Sequence, residues 1–462
     1  MPEQSAWRAL AALCIGFFMI LLDQTVVAVA TPQFQAELGA SLSQVVWVTS
    51  IYLLTFAVPL LVTGRLGDRF GQRNVYLVGM TVFTLSSLAC GLAPNIYALI
   101  VARAIQGLGA SIMAPQTMSV INRIFARERR GAAMGVWGAV AGLASLLGPI
   151  LGGVIVNSVG WQWIFFINVP LGVLSLVMVS LWVPHMAGIA RSIDGWSVVV
   201  SIIAMFSIVF AVQEGPSLGW PVWIWVVLAL GCALIALFVR MQATAQQRGN
   251  EALIPLDIFS IRNFSIGAFS IATMGFAISG MMLPIMIYLQ EGRGLTAEKA
   301  GFLLVPMAVI SGVLAPYVGR LSDRLNPRIL SVTGFAFMFA AAVTLVFTMR
   351  EGMNLWWILL PIVLLGFGNG FVWSPNSATA MRDLPVTQVG AASGVYNTTR
   401  QVGAVIGAAV IGAAMQIGVA FTDVATAMGN SMIPAAVVLL LGLIAVSRFQ
   451  PIPPHMNQIP GK

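Results

Sequence analysis

Three ionisable side chains, Asp23, Arg103 and Arg400, lie deep inside long apolar runs of this chain. A charge in hydrocarbon is costly, so each is by default a functional hypothesis. Asp23 is the only acid of the three. A carboxylic acid in apolar surroundings favours its neutral form and one beside a guanidinium its charged form, so a basic partner that approaches and withdraws would load and release a proton. Depth allows Arg103 to be that partner. Asp23 lies roughly 12 Å from the end of its run near Thr31, and Arg103 roughly 9 Å from the start of its own near Tyr97, at 1.5 Å per residue. The pair is read as a proton-coupling switch, with a static structural ion pair as the alternative. Arg400 lies near mid-run, and two readings stand for it: a substrate contact, or a donor to backbone carbonyls.

The elements that must position these groups follow from composition. The chain has 462 residues, 59% hydrophobic and 8% charged, with a mean hydropathy of +0.93, whereas about a quarter of a soluble domain is charged. No stretch leaves room for a soluble catalytic or binding domain, so function has to lie within the membrane. A bilayer core takes about 20 apolar residues per helix. That rule predicts about fourteen spans, at roughly 9–31, 44–64, 75–93, 97–119, 131–155, 163–183, 196–213, 221–240, 264–289, 299–319, 329–348, 355–377, 390–414 and 432–449. Met1 to Arg8 is too short and too weakly basic for a cleaved signal, so the first run is expected to stay as the first helix.

Lys and Arg collect in cytoplasmic loops. With both termini inside the cell, only Arg293, Lys299 and Arg350 fall outside, and only Arg103 and Arg400 within spans. The net charge of +8 is therefore a topology signal spread over short loops, and no basic patch points to nucleic acid. Cys14, Cys90 and Cys232 read as small buried packing residues. His185 and His455 fall outside the spans, so no intramembrane His is available for metal chemistry, and no metal site is expected. A membrane enzyme would need convergent His, Cys or carboxylate groups at one depth, which Asp23 alone does not provide.

The chain repeats itself. Gly64-Arg-Leu-Gly-Asp-Arg-Phe70 recurs as Gly319-Arg-Leu-Ser-Asp-Arg-Leu325, and Gly131-Ala-Ala-Met-Gly-Val-Trp137 as Gly390-Ala-Ala-Ser-Gly-Val-Tyr396. In the second pair the match continues down one helical face, Gly148 falling on Gly407 and Gly153 on Gly412. The spacing corresponds to eight spans. A six-helix unit therefore occurs twice: residues 1–190 form the first bundle, 191–257 two extra helices with linkers, and 258–462 the second bundle and tail. Paired halves place a substrate site between them near the midplane.

These motifs carry a family resemblance. The loop from Gly64 to Arg73 resembles the signature loop of the major facilitator superfamily. Arg103-Ala-Ile-Gln106-Gly107-Leu-Gly109 is similar to its span-4 motif, and Ala144-x-x-x-Gly148-Pro149-x-x-Gly152-Gly153 to the antiporter motif of its drug exporters. Leu22-Asp23-Gln-Thr25 through Pro32, Trp161 through Asn168 and Pro170, and Asn397-Thr-Thr-Arg400-Gln401 resemble the fourteen-helix drug:proton antiporter family. Ala28 stands where that family usually has Asn. The resemblance implies an all-α membrane protein of the major facilitator fold, two six-helix bundles with a two-helix central insert. It also implies a conformational latch in which Gly64, Asp68, Arg69 and Arg73, and Gly319, Asp323 and Arg324, work against helix amino termini of the opposite half, where partial positive charge favours an acid.

Soft apolar and aromatic walls accommodate many ligands. Substrate-binding candidates are Phe18, Tyr52, Phe56, Met113, Trp137, Met282, Tyr288, Trp373 and Tyr396, with Gln106, Asn369, Asn376, Asn397 and Arg400 as polar partners. The expectation is a proton-coupled secondary exporter, not an enzyme, of amphipathic small molecules or drugs, cationic ones included, working by alternating access. A dedicated exporter of an endogenous metabolite, antibiotic, siderophore or lipid is the alternative, and a transporter-derived sensor a more distant one. It would use no cofactor beyond the proton gradient and act as a monomer in a plasma or inner membrane.

Overall fold

The computed structural model describes residues 3–125, 130–185, 194–245, 247, 252–322, 325–385 and 389–450. Asp323 and Arg324 lie outside them, and so do the side chains of Asp68 and Trp137, while Gly64 is described as helical backbone alone. Among the described residues all repeating secondary structure is helical. Twelve helices are long and apolar enough to cross a membrane. Two shorter apolar helical stretches, Leu42–Ala57 and Leu147–Val159, stand where the second and fifth spans were expected.

Local chemistry sets the breaks. The first helix, α1 (Glu3–Leu38), gives way to Gly39 at φ +60°, and Ser41 opens α2 (Leu42–Ala57) through a capping box with Gln44. Pro59, which lacks an N–H, starts α3 (Leu60–Phe70). The sequence suggests a tight loop from Gly64 to Arg73. In the structure helix runs through Phe70, and the turn rests on Gly71 alone, at φ +86°, a region that favours glycine. Beyond it come α4 (Gln72–Gly91), α5 (Ile96–Ile124), capped by Asn95, α6 (Arg130–Val159), the short α7 (Trp163–Phe166) and α8 (Asn168–Trp182).

Asp194 caps α9 (Gly195–Leu218), which closes on left-handed Gly219 and leads into α10 (Val222–Ala243). The second half holds α11 (Arg262–Ile287), α12 (Ala297–Leu303), α13 (Val305–Ser322), α14 (Pro327–Thr348), α15 (Leu359–Met381), α16 (Val389–Phe421), α17 (Val424–Asn430) and α18 (Ile433–Val446).

Helix pairing in the first half recurs in the second. α1 packs on α6 and α8, as α11 packs on α16 and α18; α4 packs on α5 and α8, as α14 packs on α15 and α18. α2 and α3 lie against α5, as α13 lies against α15. Across the halves α2 meets α16, and α6 meets α12 and α13. Of the two remaining helices, α9 leans on both α2 and α16, and α10 packs on α9. Much of α10 faces outward, and Cys232 on it is exposed, whereas Cys14 and Cys90 are buried. The expectation of three buried cysteines is corrected there, because an apolar residue in a span is as readily lipid-facing as packed.

Candidate functional site

α1, α2 and α5 bring Asp23 and Arg103 together. Arg103 Nη1 donates to Asp23 Oδ2 at 2.5 Å, and the side chains are 2% and 1% exposed as residues. The same Nη1 donates to Gln106 Oε1 at 2.6 Å, while Gln106 Nε2 donates to Asp23 Oδ1 at 3.0 Å. Gln106 lies one turn from Arg103 on α5, so a spacing of three residues closes a ring of three side chains. Arg103 Nε reaches the Val48 carbonyl on α2 at 3.1 Å, and its guanidinium carbon stands 4.1 Å from the Tyr52 ring centre. The cation thus keeps two acceptors and an aromatic face besides Asp23.

Two expected substrate contacts touch the ion pair itself. Gln106 and Tyr52, expected on the substrate wall, are fully buried around the ion pair. Met113, Phe56 and Tyr288 are buried too; Tyr288 Oη donates to the Thr348 carbonyl at 3.3 Å. Asn376 is also closed off. Its Oδ1 accepts from Ser270 Oγ at 2.8 Å and its Nδ2 donates to Tyr396 Oη at 2.6 Å, tying α15 to α11 and α16. Phe18 and Met282 pack partly buried against the core, and Asn369 is half-buried on α15.

A different group stays accessible at mid-span. Asn397 is exposed, Trp373 is 36% exposed, and the Arg400 guanidinium carbon lies 5.8 Å from the Trp373 ring centre. Asn397 and Arg400 are three residues apart on α16, hence on one face. Among the described residues no carboxylate pairs with Arg400.

The glycines of α6 form a seam. A Cβ on Gly148 would strike Thr25 of α1, and one on Gly152 would press Val29 at 3.2 Å. Gly153 faces the other way, where a Cβ would stand 2.6 Å from the Ala297 carbonyl, and Gly301 of α12 meets the Pro149 carbonyl. One face of the motif therefore packs within its half and the other across to the opposite half. Polar contacts join the halves at the same end: Gln290 Nε2 donates to the Val29 carbonyl at 2.8 Å, and Asn157 Nδ2 to Glu298 Oε2 at 3.4 Å.

At the signature end, Gly67 lies against Gln116, whose Nε2 donates to the Thr63 carbonyl at 2.7 Å. Arg73 contacts the His185 ring and donates to the Ser180 carbonyl near the end of α8, where a cation complements the helix dipole. Arg69 is exposed over Phe70, and Gly319 lies near Ser374. Asn168 of the Trp161–Pro170 motif donates to Ser87 Oγ at 3.0 Å, joining α8 to α4. One residue escaped the sequence reading altogether. Glu214, placed just beyond a span ending at 213, is inside α9 and accepts from Trp47 Nε1 at 2.5 Å and Ser43 Oγ at 2.6 Å. The signal that could have found it is Gly219, a natural helix terminator one turn further on.

A doubled bundle of membrane-crossing helices with a buried charge pair and a glycine seam between halves defines a membrane transporter rather than an enzyme. The chain belongs to the Major Facilitator Superfamily, whose model matches residues 13–188 and 183–408. It is 47% identical over 89% of its length to the MFS-type transporter Rv1250 of Mycobacterium tuberculosis, covering 71% of that protein. It is 33% identical to the multidrug resistance protein Stp of the same species, over 88% of this chain and 75% of the other. A tetracenomycin C resistance and export protein of Streptomyces glaucescens is likewise 33% identical, over 90% of this chain and 78% of the other. The crystal structure of the POT family transporter PepTSo shares the fold, with TM-score 0.69 at 15% identity, over 97% of this chain and 99% of that one.

Proposed function

We propose that the chain is a proton-coupled antiporter that exports amphipathic small molecules across a plasma or inner membrane. The observation that carries the reading is the sealed ring of Asp23, Arg103 and Gln106. Asp23 is the group that exchanges a proton. When a proton arrives, the charge attraction is lost, yet Arg103 keeps the Val48 carbonyl, Gln106 Oε1 and the face of Tyr52. The guanidinium is not stranded, so α1 is free to shift against α2 and α5. Losing one partner of a buried pair with no such substitutes costs about 3–5 kcal/mol.

In this reading cargo contacts the accessible group on α15 and α16, where Trp373 supplies an aromatic face and Asn397 and Arg400 supply donors. The two shorter apolar stretches at 42–57 and 147–159 complete a fourteen-span arrangement in which both termini face the cytoplasm. Residues 1–190 and 258–462 are then the moving halves, and 191–257 a fixed brace. One chain holds both halves, so it works as a monomer on the proton gradient alone. A second reading keeps the fold and coupling but assigns one endogenous cargo, such as an antibiotic, metabolite, siderophore or lipid; the relative named for tetracenomycin C favours it.

The test is Asp23→Asn in proteoliposomes, with a compound picked from a growth screen of toxic molecules. Its pH-driven uptake into inverted vesicles should fall to the level of empty liposomes, and substrate addition should release no protons. A well-folded Asp23→Asn protein that still concentrates the compound would remove Asp23 from coupling.

A further inference from the structure

At the end of the molecule where α1 finishes, α2, α5 and α9 border an open cleft of about 500 Å³. Its contents are unusual for a membrane surface. Phe206, Phe210 and Glu214 recur every four residues on α9, and Ser43 and Trp47 lie at the same interval on α2, so two helical stripes face each other. Phe206 and Phe210 stack with ring centres 6.0 Å apart, and Trp47 lies 6.2 Å and 6.3 Å from them. Above these rings stands the Glu214 carboxylate. Trp47 Nε1 and Ser43 Oγ donate to its Oε1, and Ser217 Oγ to its Oε2 at 3.1 Å.

Every one of those donors is neutral. No Lys or Arg lines the cleft, and among the described residues Glu214 makes no ion pair. The carboxylate is thus fixed in place by three hydrogen bonds while its charge goes uncompensated. An acid poised above aromatic rings is complementary to a cation with an apolar body: the carboxylate supplies the counter-charge and the ring faces attract the cation directly. The volume falls in the range of sites for drug-sized ligands. A phospholipid ammonium group would use only the acid at the rim and leave the deeper rings to acyl chain.

We propose that this cleft is a binding site for a compact lipophilic cation, separate from the path through the halves. Glu214 holds the charge, and Trp47, Phe206 and Phe210 hold the apolar body. Val48 and Tyr52, which contact Arg103, directly follow the cleft-lining Trp47 and Ile51 on α2. The proposal concerns binding alone and stands or falls apart from the coupling role of Asp23.

The test uses tetraphenylphosphonium and the full chain in nanodiscs of phosphatidylglycerol only. Glu214→Gln keeps an acceptor for Trp47 and Ser43 but removes the charge. It should weaken binding about tenfold, the order of one lost charge contact, while the thermal midpoint stays that of the parent. As a second measurement, maleimide labelling of Ser217→Cys should slow when the cation is present. Equal affinity of parent and Glu214→Gln, or labelling unaffected by the cation, would overturn the site. Displacement of the cation by phosphatidylethanolamine added to the nanodisc would overturn it too, since the occupant would then be a lipid headgroup.

Discussion

Gln106 holds both members of the ion pair at once, donating to the acid and accepting from the base. In the proposed mechanism a residue placed like that sets the geometry of proton exchange without meeting cargo. Gln106→Leu should therefore slow pH-driven exchange by about 5- to 150-fold with an unchanged KM for the cargo, because one lost buried hydrogen-bond partner costs about 1–3 kcal/mol. A raised KM with coupling intact would put Gln106 back on the substrate wall. Arg103→Ala should be harsher, since it strands Asp23 and removes one donor each from the Val48 carbonyl and Gln106 Oε1. Its thermal midpoint in detergent should drop, and Asp23→Asn combined with it should recover part of the loss, as coupled partners do. The pairing of Asp23 with Arg103 was legible in the sequence because depth along a helix is a one-dimensional quantity. The place of Gln106 was not: three-residue spacing puts it beside Arg103 but does not say whether the shared face looks into a cavity or into packed protein. The same ambiguity holds for Tyr52, Met113, Tyr288 and Asn376, expected on a substrate wall and buried in this structure.

Helices carry the second level of the design. In α6, glycines four or five apart serve two neighbours, Gly148 and Gly152 against α1, Gly153 against α12. Small residues let backbones approach closely where no hydrophobic drive exists between lipid-exposed helices. Gly153→Val would place branched carbons against the Ala297 carbonyl, which belongs to backbone and cannot swing away. The closed end should then fail to close. Expression and folding of the first half should persist, transport should be lost, and a cysteine introduced at Asn157 should label faster than in the parent. Unchanged labelling and transport would mean that the seam has slack. Self-similarity makes this face legible in the sequence, since Gly153 repeats as Gly412, which lies against Val46 of α2 in the equivalent cross-half contact. Helix ends were less legible. An acid after an apolar run looks like the start of a loop, yet α9 continues through Glu214 and Pro216 to its glycine cap, because Trp47 and Ser43 satisfy the carboxylate. Pro59 had the opposite effect, dividing one expected span into α2 and α3.

For the whole molecule, the consequence is that one end is shut. Gln290 on Val29, Asn157 on Glu298 and the Gly153–Ala297 approach all lie where α1 and α6 finish, the end expected outside the cell from the distribution of Lys and Arg. An alternating-access machine has to break these contacts once per cycle. Neither polar contact is buried ionically, and exposed or partly exposed hydrogen bonds contribute only about 1 kcal/mol each, so the closed end is held chiefly by backbone packing and can open at modest cost. Fastening it should therefore stop turnover without harming the fold. Cysteines at Asn157 and Glu298, whose side chains meet at 3.4 Å, joined by a short bifunctional thiol reagent, should abolish transport in proteoliposomes. Cleaving a reducible version of the linker should restore the parent rate. Tetraphenylphosphonium binding at Glu214 should survive the cross-link, because that cleft lies on α2, α5 and α9 and does not span the seam between α6 and α12. A cross-linked protein that transports at the parent rate would mean that the halves do not part at this end, and alternating access through it would have to be abandoned.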